Sequence, residues 1–263
     1  MTTEHGAVSD EEPVLAEVDG AVGRIRLNRP QARNAVTVAL GRALHDHLVA
    51  LAEVTRVIVI RGVGGHFSAG GDFEEVQRLR ADGPEALRPL FENFGAACSV
   101  IAELPVPVVA AVEGYALAGG FELMQSCDVV VVRDDATIAD NHLNFGQVPG
   151  GGSSQRLPRL VGRQRALAHI LTGDRLSGAD AVAWGLAYRA APADEFDATV
   201  ERVVAGLAEK DPRAVARTKR LVLDHLERPL SEGLAAERDG VIDHLGSDGA
   251  ATGIEAFRAR PRS

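Results

Sequence analysis

Three short and almost uninterrupted apolar runs, "RVIVIRG" at 56–62, "VPVVAAV" at 106–112 and "VVVVR" at 129–133, constrain this chain more than any other feature. A strand with one face in water alternates apolar and polar residues. A run of Val, Ile and Ala without alternation reads as a buried strand, as in an α/β arrangement of strands and helices. The segments between the runs supply those helices. Leu40, Leu44, Leu48 and Leu51 recur at helical spacing behind Thr37, a residue suited to an N-cap. Leu87, Leu90, Phe91, Phe94, Cys98 and Ile101 mark one face of a second helix, and "GGFELMQSCD" reads as a short third. Strand and helix in repeated order, without a repeated sequence, predict an α/β fold whose strands are mostly buried.

The ends of the chain differ from this middle. Residues 1–12 are acidic and polar and read as a disordered tail, after which "VLAEVDGAVGRIRLNRP" gives two alternating runs around Asp19-Gly20, a hairpin signal. From Arg163 onward the texture becomes helix after helix, broken only by a short strand candidate, "LAYRA". The division expected is a tail over 1–12, an α/β core over 13–195 and a helical C-terminal region over 196–263 that packs on the core or on a neighbouring subunit.

A chain of 263 residues with 46% hydrophobic and 25% charged residues can bury a sizeable core without disulfide or metal staples. The net charge of -9, with no Lys/Arg block, argues against nucleic acid and against a polybasic membrane anchor. No apolar run reaches the length of a membrane span and the N-terminus has no signal-type apolar stretch, so the expectation is a cytoplasmic protein. The two cysteines, Cys98 and Cys127, have no metal-ligand or redox spacing and read as inert buried thiols.

The chemistry is expected in two glycine-bearing loops, "GVGGHFSAGGDF" and "EGYALAGGFEL", each joining an apolar strand to a helix. Backbone N–H groups in the first turn of a helix have no internal acceptor and attract negative charge. One N–H from each loop, placed at the same ends of neighbouring strands, would bracket a single oxygen as an oxyanion hole. The loops lack the Gly-Lys-Ser/Thr of a phosphate-binding loop and the spacing of a dinucleotide fingerprint. No Gly-x-Ser-x-Gly elbow is present, so the chemistry is expected to be non-covalent. No His and carboxylate set has metal spacing, and no metal is expected.

The segments "LNRPQARNAV", "GHFSAGGDF", "AVEGYALAGGFELMQSCD", "VPGGGSSQRLPRLVG" and the closing "GIEAFRARPRS" together resemble the crotonase family of enoyl-CoA hydratases and isomerases, over about residues 14–262. The resemblance implies a spiral core of ββα units, a helical C-terminal trimerisation region giving a homotrimer or hexamer, and acyl-CoA thioester substrates with no prosthetic group. The shared step is stabilisation of a thioester enolate, and water addition to a 2-enoyl-CoA is the leading expectation. Carried over by position, the oxyanion amides belong to Gly71 and Gly119, and the CoA-binding stretch to Asn28, Arg29, Pro30, Arg33, Asn34 and Ala35, with Ala69 near the adenine. Phe257 and Arg260 stand where the family places an aromatic and a basic residue beside CoA. The walls of the acyl pocket are expected between Phe73 and Phe94.

The family's hydratases use two glutamates. Glu122 matches the first, in the first turn of its helix; at the second, His142 stands where the pattern has glutamate. An imidazole titrates near neutrality and can replace a carboxylate as acid or base, and beside Glu122 it favours a carboxylate and imidazolium pair. Asp140, two residues earlier, is placed to orient it or to make a local loop pairing. The alternatives left open are double-bond isomerisation, hydrolysis of a β-diketone or another carbon-carbon bond, and non-catalytic acyl-CoA binding. The β-diketone hydrolases carry an aspartate where this chain has Gly151.

Overall fold

The computed structural model describes residues 12–247. The first hairpin joins β1 (Val14–Asp19) to β2 (Val22–Leu27) in antiparallel register, Asp19 opposite Val22. Its positive φ falls on Gly20, the first central residue of the two-residue turn. Helix α1 (Val38–Val54) starts where expected, the Thr37 hydroxyl accepting from Leu40 N at 3.1 Å, and buries the predicted leucine stripe. There follow β3 (Val57–Gly62), α2 (Phe73–Ala81), α3 (Pro84–Glu103) and β4 (Val108–Val112). Next come β5 (Tyr115–Leu117), α4 (Gly119–Ser126), β6 (Val129–Arg133) and β7 (Thr137–Ala139). The chain continues through α5 (Ser153–Val161), α6 (Arg163–Thr172), α7 (Gly178–Trp184), β8 (Arg189–Ala191) and α8 (Phe196–Ala208). It closes, within the described residues, with α9 (Pro212–Leu223) and α10 (Leu230–Leu245).

The main sheet runs β1-β2-β3-β4-β6-β8, parallel from β2 onward. Successive residues of a strand point to opposite faces, and here both faces are dry. Ile58, Ile60, Val108, Ala110 and Val132 join one core beneath α1, α3 and α4, while Val57, Val59, Val109, Ala111 and Val131 pack against Phe196, Val200 and Val204 of α8. The unalternating runs are therefore explained by two helical layers. One of those layers is α8, so the packed core extends past residue 195, and the helices that stand apart from it begin with α9.

Between main-sheet strand and helix the chain passes through a second, smaller layer. There β5 pairs in parallel with β7, and single parallel bridges at Val36–Gly71 and Ser68–Ala116 extend the same ladder to the earlier turns of the chain. Main strand, second-layer segment and helix recur, which is the ββα spiral that the resemblance implied.

Helices α9 and α10 pack on one another and touch the core through α3. The anchor is Lys219: its ammonium, nearly buried, donates to the carbonyls of Ile101 and Val106 and to Asp128 Oδ2 at 2.7 Å, so all three hydrogens are used. Leu230, Leu234, Ile242 and Leu245 remain exposed on α10, as does Leu226 in the turn that precedes it. Burial pushes the Cys98 thiol up to about 12 and raises the Cys127 thiol well above its ordinary value, in keeping with unreactive thiols. Among the described residues no helix is long and apolar enough to cross a membrane. Residues 1–11 of the tail expected over 1–12, and Phe257 and Arg260, lie outside the described residues.

Candidate active site

A cleft of about 1110 Å³ opens where the second layer meets the starts of α2 and α4, and its walls include Gly71, Gly119, Glu122 and His142. The bridge at Val36–Gly71 explains why one amide is free. Val36 N donates to Gly70 O and Asp72 N to Val36 O, so the peptide groups either side of Gly71 face Val36 and the Gly71 N–H faces away from it. Gly119 is the first residue of α4, and its N–H has no helical acceptor. Neither N–H has a hydrogen-bond partner among the described residues.

The residue that turns Gly119 toward the cleft is Ala118, held at φ +46° and ψ -114°, outside the regions that L-residues favour. Its own N–H donates to Ala139 O, and its C=O accepts from Glu122 N, so both sides of the strained residue are fixed. The glycines that adjoin the two amides are the tightly packed ones. A Cβ on Gly70 would lie 2.8 Å from that of Ala118, and one on Gly120 would strike the carbonyl of Ser68, whereas nothing lies within 4 Å of a Cβ placed on Gly71.

Glu122 projects from the first turn of α4 and is 2% exposed. Its Oε1 accepts from the N–H groups of Gly151, at 2.7 Å, and Ser153, at 3.1 Å, the latter at the start of α5. Oε2 is turned to His142, 3.8 Å from Nε2. Burial raises the Glu122 pKa, and the two amide donors and His142 do not fully offset it. The sequence reading anticipated only the lowering by His142; desolvation is the larger effect.

His142 sits in a single 3-10 turn after β7, and its Nδ1 lies 2.7 Å from Oδ1 of the fully buried Asp140. An ionised carboxylate only accepts, so Nδ1 carries a hydrogen and Nε2 is the ring atom presented to Glu122. Burial lowers the His142 pKa, but the hydrogen bond and charge of Asp140, with Glu122, outweigh it and leave the pKa raised. For Asp140 burial acts upward, and the hydrogen bond and charge of His142, with the Ser153 side chain, more than compensate, so its pKa is lowered. The Asp140 N–H donates to Nε2 of the buried His169 at 3.1 Å. His169 is wedged edge-on against Phe121 and Trp184, and burial lowers its pKa, so it is a neutral acceptor there.

The expected CoA-binding residues are not all free to meet a ligand. Arg29 lines the cleft, but its guanidinium donates to Ala35 O at 2.7 Å and pairs with Asp72 at 2.9 Å. Asn28 is not part of the cleft wall; its side chain donates to Glu12 O. Asn34 is completely buried, holding Arg29 N and the carbonyls of Val63 and His66, and serves to tie two loops together. Arg33 and Ala69 do line the cleft, and Arg33 lies over the ring of Tyr115. The apolar wall formed by Val76, Leu87, Leu90, Phe91 and Phe94 falls in the segment expected for it.

A model of the family described as enoyl-CoA hydratase/isomerase matches residues 17–261. A relative named as a probable enoyl-CoA hydratase in Mycobacterium tuberculosis is 34% identical over 249 residues, 94% of this chain and 95% of that one. The mitochondrial enoyl-CoA hydratase of Pongo abelii is 32% identical over 252 residues, 94% of this chain and 85% of that one. Among solved structures, an enoyl-CoA hydratase from Polaromonas superposes with a TM-score of 0.89 at 31% identity, covering 93% of this chain and 96% of that one. A Thermobifida fusca protein solved with acetoacetyl-CoA gives 0.83 at 30% identity, covering 89% and 95%. By sequence over nearly its whole length, and by the ββα spiral with its cleft, this chain belongs to the enoyl-CoA hydratase/isomerase (crotonase) family.

Proposed function

We propose that this protein adds water across the double bond of a 2-enoyl thioester of coenzyme A. The observation that carries the reading is the juxtaposition of two free N–H groups, Gly71 and Gly119, with a facing pair of acid-base groups, Glu122 and His142, in one apolar-walled cleft. The names of the relatives, and acetoacetyl-CoA in the Thermobifida neighbour, support the substrate class.

In this reading the thioester oxygen lies between the amides of Gly71 and Gly119. Glu122 Oε2 takes a proton from water as the water oxygen bonds to Cβ, and the π electrons move through Cα to the thioester oxygen, giving an enolate held by the two N–H groups. His142 Nε2–H then protonates Cα as the enolate electrons return. One water has been added, Glu122 is left protonated and His142 neutral. Transfer of the proton from Oε2 to Nε2, which face one another at 3.8 Å, restores the starting state.

Coenzyme A enters as part of the substrate, with Arg33 and Ala69 on its side of the cleft, and no prosthetic group takes part. The exposed apolar residues of α9 and α10 support association into a homotrimer or a hexamer, and the two unpaired thiols suit a cytoplasmic location. The β-diketone reading is disfavoured at Gly151. A Cβ there would lie 2.7 Å from both Glu122 Oε2 and the Phe94 ring, so a side chain at that position needs a rearranged site.

Mass spectrometry of a 2-enoyl-CoA incubated with the protein tests the reading. A gain of one water supports it; an unchanged mass, or an isomer of the same mass, overturns it.

A further inference from the structure

We infer that Asp140 is a positioning residue that locks His142 with its Nδ1–H turned inward and, as a buried counter-ion, makes Nε2 a proton donor in the resting site. The inference rests on the reading of His142 as the second acid-base group, and it specifies that group as a cationic acid where the family pattern has a carboxylate.

Four features of the geometry carry it. The Asp140 carboxylate is completely buried, and its Oδ1 is 2.7 Å from His142 Nδ1. Its Oδ2 has no hydrogen-bond partner within bonding distance among the described residues, and the Ser153 side chain that also favours the carboxylate is uncharged, so the imidazole is the cation that faces this buried charge. The Asp140 main chain is itself fixed, because its N–H donates to His169 Nε2, on α6. Finally, the ring nitrogen left over, Nε2, faces Glu122 and the cleft.

Among the described residues, the charged groups facing His142 are Asp140, from its own segment, and Glu122, from α4. Both favour the imidazolium. His169, from α6, faces Asp140 and is held neutral by burial, so it does not compete for that role. A carboxylate at position 142 could not be served in this way, since Asp140 would then repel it. Asp140 and His142 thus form a unit that depends on an imidazole at position 142.

The test is a proton titration of His142 by nuclear magnetic resonance of ring-labelled histidine, assigned with His142→Gln, on the free protein. The expected result is a midpoint above the ordinary 6.5, with Nδ1 still protonated above the midpoint. In Asp140→Asn, whose amide oxygen still accepts from Nδ1, the midpoint should fall to 6.5 or below. The alkaline limb of kcat/KM should move down with it, while KM stays close to that of the parent. A midpoint at or below 6.5 in the unaltered protein, or one that Asp140→Asn leaves in place, would overturn the inference. If Asp140→Asn does not fold, the unaltered protein alone decides. The titration uses no substrate, so a raised midpoint with no water addition would reject the hydratase reading and leave this inference standing.

Discussion

Glu122 Oε2 and His142 Nε2 face each other across 3.8 Å, while the far oxygen of Glu122 is held by two backbone amides and the far nitrogen of His142 by Asp140. Each group thus turns toward the other the one side-chain polar atom that has no hydrogen bond among the described residues. Both pKa values are raised, that of Glu122 by burial and that of His142 by Asp140 and Glu122 against burial. The working form needs Glu122 ionised and His142 protonated. Activity should therefore follow a bell, with an acid limb above the ordinary glutamate value of 4.5 and an alkaline limb above the ordinary histidine value of 6.5. Stability follows the same group: a raised histidine stabilises fully below its unfolded pKa and loses that contribution as pH rises through the folded one. Thermal midpoints of the parent should thus decline as pH is raised above 6.5, and those of His142→Gln should decline less.

Gly151 gives Glu122 its shortest hydrogen bond and has no room for a side chain. In Gly151→Ala the new methyl meets Glu122 Oε2 and Phe94, both at 2.7 Å. Stability should fall by about 1–3 kcal/mol from overpacking, and kcat should fall with it because the carboxylate must turn. Chemical denaturation and steady-state kinetics read the two effects separately. Full activity in this variant would show that the position of Glu122 is not critical.

Ala118 stores backbone strain at the amide pair. Glycine adopts its φ and ψ without a Cβ penalty, and strain of this kind is worth about 1–3 kcal/mol. Ala118→Gly should be neutral or stabilising despite the unfolded-state entropy of glycine, and Ala118→Val should be destabilising and lower kcat by displacing the Gly119 N–H. Thermal unfolding of the two variants checks the sign.

Lys219 and Asp128 tie α9 to the core as a nearly buried pair. Lys219→Met leaves Asp128, whose pKa burial already raises, without its cation. The expected cost is about 3–5 kcal/mol, and the double variant with Asp128→Asn should recover part of it. Calorimetry should find a thermal midpoint lowered by roughly ten degrees, and turnover per folded molecule unchanged.

The layers of the fold were legible because their signals are physical: buried runs without alternation, a leucine stripe behind Thr37, and Gly20 at a two-residue turn. The second layer was not, since strands of three residues such as Tyr115–Leu117 and Thr137–Ala139 are too short to show a period. Helix α5 was hidden too, starting without a side-chain cap directly after three glycines and carrying Pro158 inside it. Glu122 and His142 were found by position through the family resemblance, and the structure brings them together. The strain at Ala118 has no sequence signal, because alanine is an unremarkable residue before a helix. The local partners of Arg29 and Asp140 were not legible for one reason: each is held by a residue distant in sequence, Asp72 for one and His169 for the other.

The measurement that tests the central claim most directly is the ultraviolet absorbance of a conjugated 2-enoyl-CoA thioester incubated with the parent protein and with Glu122→Gln. Rapid loss of the enoyl signal in the parent, slowed by about 10²–10⁴ in Glu122→Gln with CoA-ester binding retained, is the predicted result. Binding of the thioester without loss of its absorbance at any chain length, or equal loss in both proteins, would contradict it.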